Sequence, residues 1–274
     1  MATVDRTTQY RERIWADLRK VGRPDSRFHW DLSSFIADFE GSDICTDRTL
    51  DLDVWRTLGN RRVFITPDNS TEELRKRLIA ENVPFVMTTY GIQRGFVELD
   101  STTVPPGEES YAATLDGMDR YAVPVSLGQL QAGDPFAVLV TGGTAVSMSG
   151  VRFGKGHGYF DFEYAALSEL GLVDSDAVLI DMVHDCQVVD EHLDGEPHDV
   201  VMDYIVTPTR TIPVHRDGRE PGRILWDLIP GTEFERLEVT AELRRLVQTV
   251  DKAPRADKTI DAERQDSFRK EEKE

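Results

Sequence analysis

Apolar residues recur along the chain in two alternating rhythms, helical and strand-like. Thr7 to Lys20 carries Ile14, Trp15 and Leu18 at helical spacing, which predicts an amphipathic helix ended by Gly22 and Pro24. Phe35, Ile36 and Phe39 read as cover for a core edge, and Leu50, Val54 and Leu58 predict a second helix over 47–58. Arg61 to Thr66 is a β-rich run closed by the turn residues Pro67, Asp68 and Asn69. Ser70-Thr71-Glu72-Glu73 then reads as a capping start for a helix through Leu78 and Ile79, and Pro84 to Thr89 as the next strand. Strand, short helix, strand predicts parallel strands with a right-handed crossover.

Further on, 100–119 contains Pro105, Pro106 and Gly107 and reads as an exposed loop, and 127–130 as one helical turn. Pro135 to Val146 is the most apolar run and is expected to be a central strand. A helix begins near Phe162 and stops at Gly171; 177–183 and 203–207 read as strands, the second as the last of the core, closed by Pro208. Residues 216–222 are loop-like, and 233–250 predicts a helix with Glu235, Arg244 and Arg245 on its polar face. The alternation predicts an α/β fold, a three-layer α/β/α sandwich over 1–210 with a mostly parallel central sheet. A C-terminal extension, 211–250, would pack its helix on that domain. A charged tail, 251–274, is expected to be disordered or loosely helical.

Composition changes this picture in two respects. The net charge of −18 repels a phosphate backbone and argues against nucleic-acid binding. The basic residues are 25 Arg and 7 Lys, and only Lys20, Lys76 and Lys155 precede the region of the tail. Such an acidic, lysine-poor surface suits either a protein working in high salt or an ordinary acidic cytosolic one. Neither a signal peptide nor a membrane-spanning run is evident, and two cysteines make no disulfide framework, so a cytoplasmic location is expected.

The densest chemistry lies at 150–161. Gly154, Gly156 and Gly158 alternate just before a helix start, with Arg152 and Lys155 adding positive charge and Asp161 a carboxylate. Unpaired N–H groups at a helix start, beside cations, make a seat for phosphate. The spacing is neither that of a Walker loop nor that of the dinucleotide fingerprint. A polyphosphate site and a glycine-rich turn that binds nothing both remain open on local pattern. Lys155 and Asp161 are expected on a solvent-facing loop. Asp199 and Asp203 flank a strand entry, where a carboxylate could share Mg²⁺ with Asp161, or serve as a turn cap or strand punctuation. His184, His192 and His198 could be a transition-metal site but lack tight spacing, and hydrogen-bonded edge residues are the plainer reading. Ser147 and Ser149 read as loop hydrogen-bonders rather than nucleophiles.

Together these residues resemble the 5-formyltetrahydrofolate cyclo-ligase family. Its loop, Arg-x-Gly-x-Gly-x-Gly-Tyr-(Tyr/Phe)-Asp, is matched by Arg152, Gly154, Gly156, Gly158, Tyr159, Phe160 and Asp161, and its distal block by Gln187, His198-Asp199, Asp203 and Thr207. The resemblance implies a NagB/RpiA/CoA-transferase-like three-layer fold. It implies ATP and Mg²⁺ as cofactors, with Arg152, Gly154, Lys155, Gly156, His157, Gly158 and Tyr159 on the ATP and Asp161 and Asp199 on the metal. Arg152 and Lys155 would be catalytic, stabilising a transferring phosphoryl group. Asp68 stands near the position of a folate-side acidic residue and, with Tyr159, would face a reduced folate. Arg11 and Arg13 are the candidates for the family's amino-terminal ATP-holding element. The implied reaction phosphorylates the formyl oxygen of 5-formyltetrahydrofolate, after which N10 closes the ring to 5,10-methenyltetrahydrofolate. A related ATP-dependent enzyme on another small substrate, or a non-catalytic nucleotide-binding or regulatory protein of the same fold, are the alternatives. No membrane partner is implied.

Overall fold

The computed structural model describes residues 6–252 apart from 192, 194, 197 and 216–220. Two sheets carry the chain. The main one runs in the order β11 (Thr211–Pro213), β10 (Tyr204–Val206), β8 (Val173–Met182), β5 (Phe136–Thr141), β1 (Arg62–Ile65), β2 (Phe85–Thr88), β3 (Phe96–Leu99) and β4 (Val123–Val125). The strands from β10 to β2 are parallel, while β11 at one end and β3 and β4 at the other run antiparallel. A small second sheet joins β6 (Ala145–Ser147) to β7 (Arg152–Phe153) and β9 (Val188–Val189).

Side chains alternate along each central strand, and the two faces build two separate cores. Val63, Ile65, Met87, Val138, Val140, Ile180 and Met182 face one layer of helices. That layer takes Leu18 of α1 (Arg6–Val21), Cys45 of α2 (Ser42–Leu50), Leu74 and Leu78 of α4 (Glu72–Ala80), Ala112 of α5 (Glu109–Ala112) and Met118 of α6 (Leu115–Tyr121). Phe64, Val86, Leu139 and Leu179 face the other, formed by α7 (Leu127–Leu130), α8 (Tyr159–Glu169), α9 (Glu238–Lys252) and the strap 222–237 that precedes α9. The result is the expected three-layer α/β sandwich with a mostly parallel sheet.

Several expectations are corrected. The helix predicted over 47–58 begins earlier and is two pieces, α2 and α3 (Asp53–Arg56), because Leu52 between them is extended. Thr71 makes no capping bond at α4; its hydroxyl donates to the carbonyls of Thr66 and Asp68 instead. Residues 100–119 are not an exposed loop, since α5 and α6 bury Ala112, Ala113 and Met118. The long strand over 135–146 breaks after Thr141. Gly142 passes so close to its neighbours that a Cβ would lie 2.3 Å from Ser70 Oγ, and the chain leaves β5 there to enter the second sheet. The strand expected over 203–207 is β10, the last of the core, and a short edge strand with no buried residue, β11, pairs antiparallel outside it. The helix expected from 233 starts at Glu238, after a short helical turn at Glu233–Arg236. Most of the charged tail lies outside the described residues. Among the described residues no helix is long and apolar enough to cross a membrane.

Candidate active site

A cleft opens at the carboxyl ends of β1, β2 and β5, where ligands of open α/β sheets bind. The turn after β1, the loop after β2, the glycine loop and the segment around Phe28 and Phe35 wall it. Of the residues singled out in the sequence, Asp68, Arg152, Gly154, Lys155, His157, Gly158, Tyr159 and Asp161 line it. Gly150 does not belong to this loop. It turns the hairpin between β6 and β7, and the glycine loop begins only after Phe153.

The loop needs its glycines. Gly156 and Gly158 hold φ of 111° and 73°, a region that other residues enter at a cost. Gly158 is the residue before α8 and has no side chain to cap it, so among the described residues the first amides of that helix are left to face the loop. Arg11 of α1 donates from Nε to Gly154 O at 2.9 Å, tying the first helix to the loop. Arg13, the other amino-terminal candidate, pairs with exposed Glu191 at 2.6 Å, away from the loop.

Lys155 is corrected from a solvent-facing position. Its Nζ lies 5.3 Å from the Tyr90 ring centre and 5.4 Å from that of Tyr159, and donates to Ser34 O at 3.2 Å. Burial lowers its pKa, with Asp68, Glu163 and Glu233 opposing the shift. Arg152 is buried on β7; one terminal nitrogen donates to Gly142 O at 2.9 Å and the other lies 3.9 Å from Asp161 Oδ1.

Asp161 accepts from Val200 N–H at 3.0 Å, and Asp199 accepts from Glu196 N–H at 2.7 Å, as a turn cap would. Burial pushes the Asp199 carboxyl up, and the neighbouring charge of Asp161 adds to it. Val200, bonded to Asp161, directly follows Asp199 in the chain, which places the two carboxylates in one neighbourhood. Among the described residues no three His, Cys, Asp or Glu side chains converge on a metal. A pair of carboxylates agrees with Mg²⁺, which usually takes one or two together with phosphates. Asp203 binds elsewhere, accepting from Leu179 N–H at 2.8 Å. His184 accepts from Cys186 N–H at 3.2 Å, as a hydrogen-bonded edge residue; His192 lies outside the described residues. Ser147 and Ser149 bond each other at 2.8 Å.

Asp68 faces the cleft but is partly spent, since Oδ2 accepts from Thr66 Oγ1 at 2.6 Å and Gly142 N–H at 3.0 Å. Sequence reasoning missed three acids. Glu163, on the first turns of α8, lines the cleft floor, accepts a short bond from Thr88, and is pushed up to about 8 by burial. Asp181 is fully buried on β8 with neither oxygen hydrogen-bonded among the described residues, and burial raises it to about 7. Glu233 binds His157 and Tyr159 from the strap. An acid inside an apolar strand, as at Asp181, was the one signal available.

The fold and this cleft define a three-layer α/β protein whose site is framed by a glycine loop at the strand ends. A family model described as the 5-formyltetrahydrofolate cyclo-ligase family matches residues 4–208, and the chain belongs to that family. The methenyltetrahydrofolate synthase domain-containing protein of Homo sapiens is 33% identical over 261 residues, covering 93% of this chain and 64% of that protein. Its Mus musculus counterpart is 31% identical over 240 residues, with 85% and 62% covered. The chain thus spans less than two thirds of the length of these relatives. The 5-formyltetrahydrofolate cyclo-ligase of Mycolicibacterium smegmatis is 36% identical over 77 residues, 27% of this chain and 35% of that protein. The solved 5,10-methenyltetrahydrofolate synthetase of Aquifex aeolicus matches with a TM-score of 0.46 and 15% identity, covering 80% of this chain and 97% of that one.

Proposed function

We propose that the protein converts 5-formyltetrahydrofolate and ATP to 5,10-methenyltetrahydrofolate, ADP and phosphate, with Mg²⁺ as the metal. The observation that supports this best is convergence: Arg152, Lys155 and the uncapped start of α8 meet at one cleft, beside Asp161 and Asp199. Together they provide donors and cations for a triphosphate on one side and an aromatic slot on the other. The bound metal would neutralise phosphate charge from Asp161 and Asp199.

The chain's own residues do the remaining work. Residues 154–159 hold the phosphates through backbone amides, and Arg152 is fixed for that role by its bond to Gly142 O. The desolvated Lys155 amine faces the transferring phosphoryl group, where a cation in a dry site counts for most. Transfer to the formyl oxygen makes it a leaving group; attack by N10 closes the ring and expels phosphate. Phe28, Phe35 and Tyr90 wall the slot that takes the flat pterin, and Asp68 and Tyr159 lie at its edge. No protein nucleophile is required.

The test is the absorbance of methenyltetrahydrofolate formed when the purified protein meets 5-formyltetrahydrofolate, ATP and Mg²⁺. Steady formation that needs all three supports the reading. Nucleotide binding without product would point instead to another small substrate, and no nucleotide binding to a non-catalytic role.

A further inference from the structure

The strap 222–237 lies beyond the residues that the family model covers, yet it ends on the glycine loop. It crosses α8 at close range: a Cβ on Gly222 would sit 2.7 Å from the Tyr164 ring and 3.0 Å from Ala165 Cα. Ile224 N–H donates to Glu169 at 2.9 Å, and Ile224 and Ile229 are buried. Phe234 stacks on Phe162 at 4.7 Å and meets Tyr159 edge-on at 5.8 Å. These contacts fix the carboxylate of the residue next to Phe234. Glu233 Oε1 lies 2.7 Å from His157 Nδ1, and Oε2 accepts from the Tyr159 hydroxyl at 2.5 Å.

A carboxylate offers only acceptors, so His157 must carry a proton on Nδ1 to make this bond. Both rings are thereby held by their polar ends, and they stack on each other at 5.2 Å. The Tyr159 ring is in turn one of the two that Lys155 Nζ faces. The chain of contact therefore runs from the strap, through a phenol, to the cation of the loop.

We propose that Glu233 is a positioning residue of the active site: it fixes the Tyr159–His157 stack, and through Tyr159 the Lys155 amine, in the arrangement that receives anionic phosphates. This rests on the phosphate-seat reading of the loop given above. The competing arrangement is a gate, in which Glu233 repels phosphate and must withdraw. The two differ in sign. A positioning carboxylate strengthens nucleotide binding, and a gating one weakens it.

Calorimetry of Mg-ATP binding to the full chain separates them, using wild type, Glu233→Ala, Tyr159→Phe and the double variant, with melting temperature as the fold control. Glu233→Ala is expected to weaken Mg-ATP tenfold or more at an unchanged melting temperature. The double variant is expected to bind no more weakly than the worse single one, because both act through one contact. Should Glu233→Ala fail to fold, Glu233→Leu, close to glutamate in size and without acceptors, gives the same reading. Unchanged or tighter binding in the variant overturns the proposal, as does a double variant whose losses simply add. A wild type that binds no Mg-ATP overturns the phosphate-seat reading and this proposal together. A wild type that binds Mg-ATP, with Glu233→Ala equal to it, overturns this proposal alone.

Discussion

A lysine held between two phenol rings keeps its charge only against the pull of desolvation, so its place has to be explained by what it faces. Among the described residues the Lys155 side chain has one hydrogen bond, to Ser34 O, and burial lowers its pKa. Removing it therefore costs little stability. Lys155→Ala is expected to lower kcat/KM by about 10²-fold or more while shifting the folding free energy by less than about 1 kcal/mol. Turnover assays and thermal melts check this together. A variant that unfolds would make Lys155 structural.

The buried acids give a pH prediction with a definite sign. Glu163 rises from 4.5 to about 8 and Asp181 from 3.8 to about 7, both by burial. The folded state then holds protons that the unfolded chain releases, so stability is full below about pH 4 and falls as pH climbs through 7 and 8. At about 1.4 kcal/mol per pH unit, the loss is bounded at roughly 5 kcal/mol per group. Urea midpoints should decline from pH 5 to pH 9, and the Glu163→Gln, Asp181→Asn double variant should flatten that slope. At this scale the sequence revealed the loop but not its partners. Arg152, Lys155 and Asp161 are legible because glycine spacing marks them. Glu163 and Glu233 are not, because their roles arise from an approach of Thr88 and of the strap that no local pattern encodes.

Arg75 is the feature on which one whole element turns. It is fully buried on α4, and donates to Ala113 O at 2.8 Å, to Thr66 O and Asp68 O at 2.9 Å, and to Thr71 Oγ1 at 2.7 Å. It thus binds the end of β1, the turn that carries Asp68, and the junction of α5 and α6. Arg75→Ala would strand several buried acceptors, at a cost on the order of 3 kcal/mol or more. Denaturant unfolding measures it, and a loss below about 1 kcal/mol would show the clamp to be dispensable. Helices and strands with a clean period, such as α1, β1, β2 and α4, are legible in the sequence. The elements that are not, β3, β4, α5 and α6, are short, and their packing partners rather than their own residues set them. The break in β5 was hidden for a similar reason. Gly142 and Gly143 look like an interruption within an apolar run, until Ser70 and Asp181 are seen pressed against them.

At the scale of the whole molecule, the two sheet faces are covered by different parts of the chain, and this decides what the C-terminal segment is for. One face is closed by helices that all precede residue 122. The other takes α7 and α8, but Phe162, Ala165, Leu127 and Leu130 share their core with Ile224, Ile229, Leu237, Val239 and Leu243. Each large apolar side chain left in water costs about 1.5–3 kcal/mol, and five of these come from beyond residue 221. Their sum is comparable with the whole stability of an ordinary domain. A chain ending at residue 221 is therefore expected to aggregate or bind a hydrophobic dye, not to fold as a smaller version of the protein. One ending at residue 252 should melt as the full chain does. Size-exclusion chromatography and thermal melts of the two truncations decide it. A monomeric, cooperatively melting 1–221 would mean that the second face closes without its strap.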